Sequence, residues 1–217
     1  MRDLNAFLRR PCWSPIPPSA GPGRASATPS PAATEIINTV AVNSDGQPVN
    51  GYHDITAGQN PPDRADCTEP SPAAVSKNIY RCLPTSYAAD VCWPASNLDL
   101  LCMNDPWAKE LHRIRARNPL GPVSPTASPE PVALLLDDGT HCSLRNGCAW
   151  GHRYDNLQAF YGCGDHPGLT VLAAMDTDPV DRSSPTWTVK VGADDARDPS
   201  PPPPVTHRVQ TAWFAGD

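Results

Sequence analysis

The chain has 217 residues, 28 of them proline, and a formal net charge of −6 at pH 7. That length allows one domain, or one domain with tails, and proline at more than twice its average share of about 5% favours extended flanks around a packed centre. The acidic balance excludes nonspecific nucleic-acid binding, which needs a basic footprint, and no apolar run approaches the ~18 residues that a membrane-crossing helix needs.

Residues 1–34 are rich in Pro, Ser, Ala and Gly and read as a disordered or polyproline-like leader. MRDLNAFLRR carries Arg2, Arg9 and Arg10, but the PCWSPIPPSAGPGRASATPSP that follows is not an apolar h-region, so the leader offers no recognisable signal peptide. Residues 35–217 are expected to form a single disulfide-stabilised, β-rich domain. EIINTVAVN (35–43) is its first predicted strand, SDGQP (44–48) a turn, and the polar, Pro-rich 49–76 a loop that Cys67 ties to the core.

NIYRCLP and ADVCWPA are short apolar segments, and LDLLCMN reads as strand or buried helical turn. DPWAKELHRIRAR (105–117) predicts a short helix, with Asp105 as cap, Pro106 in the first position, and Trp107, Leu111 and Ile114 at helical spacing. Residues 118–131 are a linker. At 132–163, Asp138-Gly139 and Asn146-Gly147 predict two type I′ turns and a three-stranded antiparallel meander, with Leu135 opposite Cys142 and Arg145 opposite Cys148. Further strands are predicted at 168–175, 185–192 and 205–215, with PSPPPP (199–204) as a stiff connector. The expected fold class is mainly β: a small disulfide-stapled antiparallel sheet, sandwich or barrel-like, with one short helix.

Eight cysteines are present, seven of them between Cys67 and Cys163. Their spacing gives neither a zinc-type pair nor a redox CxxC, which leaves a disulfide framework and hence an oxidising compartment. The candidates are Cys67, Cys82, Cys92, Cys102, Cys142 and Cys163; Cys148, at a hairpin edge, and Cys12, in the leader, are the candidates for unpaired thiols. No metal site or cofactor is expected: Asp176, Asp178 and Asp181 fall short of a calcium-loop pattern and read as a solvated turn.

Lys109, Arg113, Arg115 and Arg117 would line one face of the predicted helix, a candidate anion-binding surface that also reads as a plain solvated face. Asp137, Asp138, Asp155 and Asp165 lie near His141, His152 and His166, which would permit an extracellular hydrolase if they converged in a pocket. Trp93, Trp107, Trp150, Trp187 and Trp213 are core candidates, with exposure of two on one face as the sign of a binding surface.

NGYHDI (50–55), NIYRCLP (78–84), ADVCWPA (89–95), LLCMNDPW (100–107), DDGTHCSLRNGCAW (137–150), YGCG (161–164) and AWFAG (212–216) resemble exported proteins of mycobacteria and related actinobacteria. The resemblance covers about residues 48–217. It implies an envelope or extracellular location and brings no catalytic residues. A secretion signal or lipobox expected of such proteins is missing from the leader, and Cys148 stands where a second hairpin glycine is expected. The sequence thus points to a noncatalytic secreted or envelope-associated protein that binds an envelope or extracellular partner it does not identify, with the Asp/His hydrolase as the alternative.

Overall fold

β-Branched and apolar runs bounded by Pro, Gly, Asn and Asp produce strands along the whole domain. A computed structural model describes residues 31–58, 64–144, 153–164 and 168–217, so the leader up to Ser30, with Cys12, lies outside the described residues. In chain order the strands are β1 Glu35–Thr39, β2 His53–Asp54, β3 Asp66–Pro70, β4 Tyr80–Leu83, β5 Cys92–Pro94, β6 Asp99–Asp105 and β7 Glu110–Arg115. Then come β8 Ala133–Leu136, β9 His141–Leu144, β10 Leu157–Cys163, β11 Leu169–Ala174, β12 Val180–Asp181, β13 Thr188–Ala193 and β14 Val205–Ala215.

The 11 residues of β14 organise the first sheet. Val205–Arg208 pair antiparallel with β13, Val209–Trp213 pair antiparallel with β8 through a bulge, and Thr211–Ala215 also receive β1 in parallel. Because β8, β9, β10, β11 and β13 are successive antiparallel neighbours, the β13–β14 pairing closes six strands into a barrel, with β1 and β12 as additions. Closure removes the unpaired edges that an open sheet presents. Leu134, Leu136, Cys142, Tyr161, Val171, Val191 and Val209 are buried in its core, where the Tyr161 hydroxyl donates to the Pro131 carbonyl at 2.9 Å.

The second sheet is open, in the order β2-β7-β6-β5-β4-β3. Its two faces enter different cores. Trp93, Leu101, Met103 and Leu111 join the barrel cluster, whereas Cys92, Leu100, Cys102 and Ile114 pack beneath Leu98, Leu120 and Val123. Burial on both faces explains why Leu100–Met103 is an unbroken apolar run. Disulfides staple both sheets: Cys67–Cys82 joins β3 to β4, Cys92–Cys102 joins β5 to β6, and Cys142–Cys163 joins β9 to β10. The last two link residues directly opposite each other in the ladders.

Three local expectations are corrected. The helix at 105–117 is instead the β6–β7 hairpin; among the described residues the one helical element is a 3-10 turn at Thr85–Tyr87. Leu111 and Ile114 are three apart, which shares a face in a helix but opposes faces in a strand, and the two residues lie in the two different cores. Asp105 caps a tight turn in place of a helix, its Oδ1 accepting from the Trp107 and Ala108 amides at 2.7 and 2.9 Å, and Lys109 takes φ 56°.

The segment 49–76, expected as loop, contributes β2 and β3, whose partners β7 and β4 supply the hydrogen bonds. The β8–β9 register also differs by one residue: Leu134 faces Cys142 and Leu135 faces His141. A two-residue type I′ turn needs positive φ at both central positions. Here Gly139 alone in the loop has it (φ 85°), and Leu136 N donates to Thr140 O at 2.9 Å across a three-residue loop, the arrangement of a glycine bulge. The second predicted turn, 146–147, and Cys148 lie outside the described residues.

Candidate binding groove

Two turns and three strands build one concave site. Asn50 (φ 54°) and Gly51 (φ 84°) are both left-handed, and Tyr52 N donates to Val49 O at 3.0 Å, which is a type I′ turn. That turn presents Tyr52. The Asp105-capped turn between β6 and β7 presents Trp107 and Lys109, and β14 presents Trp213 beside β1.

Lys109 ties the two turns together. Its Nζ donates to the Asn50 carbonyl at 2.8 Å and lies 5.9 Å from the Tyr52 ring centroid, a distance at which an ammonium is attracted to the ring's negative face. The Trp107 ring stacks on His141, centroids 4.0 Å apart and planes 12° apart, and meets Trp213 edge-on at 5.0 Å and 87°. Asn50, Tyr52, Trp107, Lys109 and Trp213, together with Ile37, Asn38, Thr39, Val40 and Ala133, line a cavity of about 390 Å³. Burial pushes the Tyr52 phenol above its ordinary value; a hydrogen bond with Thr39 works against this, and the Asp105 carboxylate adds to it.

The groove therefore offers aromatic walls, one ammonium, and the neutral polar groups of Thr39, Asn50 and Tyr52. This is the composition of a site that holds a ligand by shape and a few polar contacts. The convergence is not legible in the sequence because its members come from distant segments. The one local signal is Asn50-Gly51, a preferred hairpin-turn dipeptide.

The other candidate residues are distributed differently. Lys109 lies at the groove. Arg113 pairs with Asp54 at 2.8 Å and Asp99 at 3.5 Å, Arg115 pairs with Asp99 at 2.7 Å, and Arg117 donates to the Arg64 carbonyl at 3.4 Å. Carboxylates of the same sheet thus neutralise two of the four cations.

Asp137 and Asp138 meet His207, at 3.2 and 3.5 Å from its Nδ1, and Arg208 Nε donates to Asp137 at 3.0 Å. His141 stands apart from them, on Trp107. Asp155 pairs at 2.7 Å with Arg153, whose fully buried guanidinium also donates to the Ala193 and Pro202 carbonyls. His152, Asp165 and His166 lie outside the described residues, as does Trp150. In the 176–181 turn, Asp178 accepts from Val180 N and Asp181 from Ser183 N, each at 2.9 Å. Trp93 is buried with its indole N–H on Gly216 O, and Trp187 is half-buried beneath Arg182.

Comparison with protein-family models, with curated proteins and with solved structures gives no match.

Proposed function

We propose that this is a noncatalytic binding protein of the extracellular space or cell envelope, with its ligand in the groove formed by the Asn50–Gly51 turn, the Asp105–Lys109 turn, β1 and Trp213. The observation that carries the reading is the convergence of Tyr52, Trp107 and Trp213 on one cavity. Its volume of about 390 Å³ falls within the range of small-molecule sites. Three disulfides support an oxidising compartment, in keeping with the resemblance to exported actinobacterial proteins. Among the described residues no helix is long and apolar enough to cross a membrane.

Two measurements test the two halves. Intrinsic tryptophan fluorescence of the full chain, titrated with neutral sugars, acidic sugars, indole and short peptides, should change saturably with at least one of them. No saturable change with any would overturn the ligand reading. Thiol-blocking fractionation of the native host should recover oxidised protein outside the cytosol; recovery only from cytosol with reduced cysteines would overturn the location.

A further inference from the structure

We infer that the groove takes a neutral glycan, one or two hexopyranose rings stacked between the aromatic walls. The inference rests on the binding reading above and names its ligand class. The C–H-bearing face of a pyranose is apolar and slightly positive, and it packs on the negative face of an aromatic ring. Trp107, Trp213 and Tyr52 supply three such rings around one cavity. His141 covers one face of Trp107, so ring surface turned to the cavity is held in place before a ligand arrives, which lowers the entropy lost on binding.

The polar groups suit hydroxyls better than charges. The Asn50 amide donates to the Val40 carbonyl at 2.9 Å, and no bond within the described residues engages its side-chain oxygen, which remains an acceptor. Thr39 adds a hydroxyl at the same wall, and Lys109 keeps N–H donors beyond the one given to Asn50 O. The single ammonium is already engaged by the Asn50 carbonyl and the Tyr52 ring. An acidic ligand such as a uronic acid or phosphate would find one partly engaged cation, Lys109, among the lining residues. A purely apolar ligand would cover the Asn50 side-chain oxygen without giving it a partner. At about 390 Å³ the cavity is near the small end of ligand sites, the scale of one or two rings.

The test is calorimetric and fluorescence titration of the full chain with α- and β-linked neutral disaccharides of glucose, mannose and galactose. Matched uronic-acid oligosaccharides and indole run in parallel. At least one neutral sugar should bind saturably, with an affinity that stays constant between low and high salt. Trp213→Ala should weaken it by about tenfold or more, the loss of one stacking contact. Unchanged affinity in folded Trp213→Ala and Trp213→Leu variants would overturn the assignment to this groove. Binding of indole or of acidic sugars without any neutral sugar would overturn the glycan inference and leave the binding reading standing. No binding by any probe would overturn both.

Discussion

Trp107 and His141 stack face to face with their ring centroids 4.0 Å apart. The contact joins a turn of the open sheet to β9 of the barrel, next to Cys142, so one aromatic pair both couples the two sheets and shapes the groove. Removing Trp107 deletes this stack and the edge contact to Trp213. Trp107→Ala should cost about 2–4 kcal/mol in urea unfolding, below the full value for a buried tryptophan because the ring is partly exposed. A double-mutant cycle with His141→Ala should assign about 0.5–1.5 kcal/mol to the pair. A coupling indistinguishable from zero would mean that the stack has no part in holding the sheets together.

The disulfides should rank by the chain they enclose. Their sequence separations are 10 for Cys92–Cys102, 15 for Cys67–Cys82 and 21 for Cys142–Cys163. Restriction of the unfolded chain gives about 3 kcal/mol each, with only about 0.7 kcal/mol between the shortest and longest loops. Paired Cys→Ala variants measured by chemical denaturation should follow that order, Cys142/Cys163 being the costliest. A much larger loss at Cys92/Cys102 would show that packing in the second core, and not loop closure, dominates.

How much of this was legible from residues follows from where each signal resides. Segments 168–175 and 205–215 carry β-branched and apolar residues and are bounded by Asp176 and by Pro204 and Gly216, a local pattern, and they form β11 and β14. The β6–β7 hairpin defeats local reading because Asp105 can cap a helix or a tight turn with the same side-chain oxygen, and because Leu111 and Ile114 mimic helical spacing while serving two cores. The short β2 and β3 exist because distant strands pair with them. The same applies to the groove: Tyr52, Trp107 and Trp213 meet only after the barrel closes. Single aromatic residues in a sequence do not disclose that meeting.

Acid should destabilise the protein through Asp54 and Asp137. Burial opposes ionisation of Asp54, but hydrogen bonds from Thr56 and Arg113 outweigh it and hold the carboxyl below its usual 3.8; at Asp137 slight burial is likewise outweighed, by Arg208 and His207. A lowered folded pKa gives stability that is present above the unfolded value and lost as pH falls through the folded one. The melting temperature should therefore fall on acidification below pH about 4, and Asp54→Asn should flatten that fall. An unchanged acid limb in Asp54→Asn would remove this pair from the account.

Glu130 carries the opposite sign. Burial, with Asp178 nearby, raises its carboxyl above the usual 4.5, against the pull of Arg182 and Arg81. A raised folded pKa makes the folded state the tighter proton binder, so the associated stability is present below the unfolded value and is lost as pH rises through the folded one. Glu130→Gln mimics the protonated side chain. It should leave stability nearly unchanged at pH about 3.5 and increase it at pH 7, by denaturant midpoints at the two pH values. Destabilisation at pH 7 would show that the attraction to Arg182 and Arg81 outweighs the cost of burial.

Gly46 and Gly139 separate steric from conformational demands on glycine. Both have positive φ, 73° and 85°, but a Cβ on Gly46 would come within 2.6 Å of the Ala95 Cα, whereas one on Gly139 meets nothing within 4 Å. Gly139→Ala should cost only the left-handed backbone penalty, about 1–2 kcal/mol. Gly46→Ala incurs the same penalty and must also displace backbone beside Trp93, the aromatic residue whose indole anchors Gly216. Thermal unfolding should show the larger loss for Gly46→Ala, because backbone, unlike the end of a flexible side chain, cannot yield without carrying its strand along. Equal losses for the two variants would mean that the 44–48 turn moves away from Ala95 at little cost.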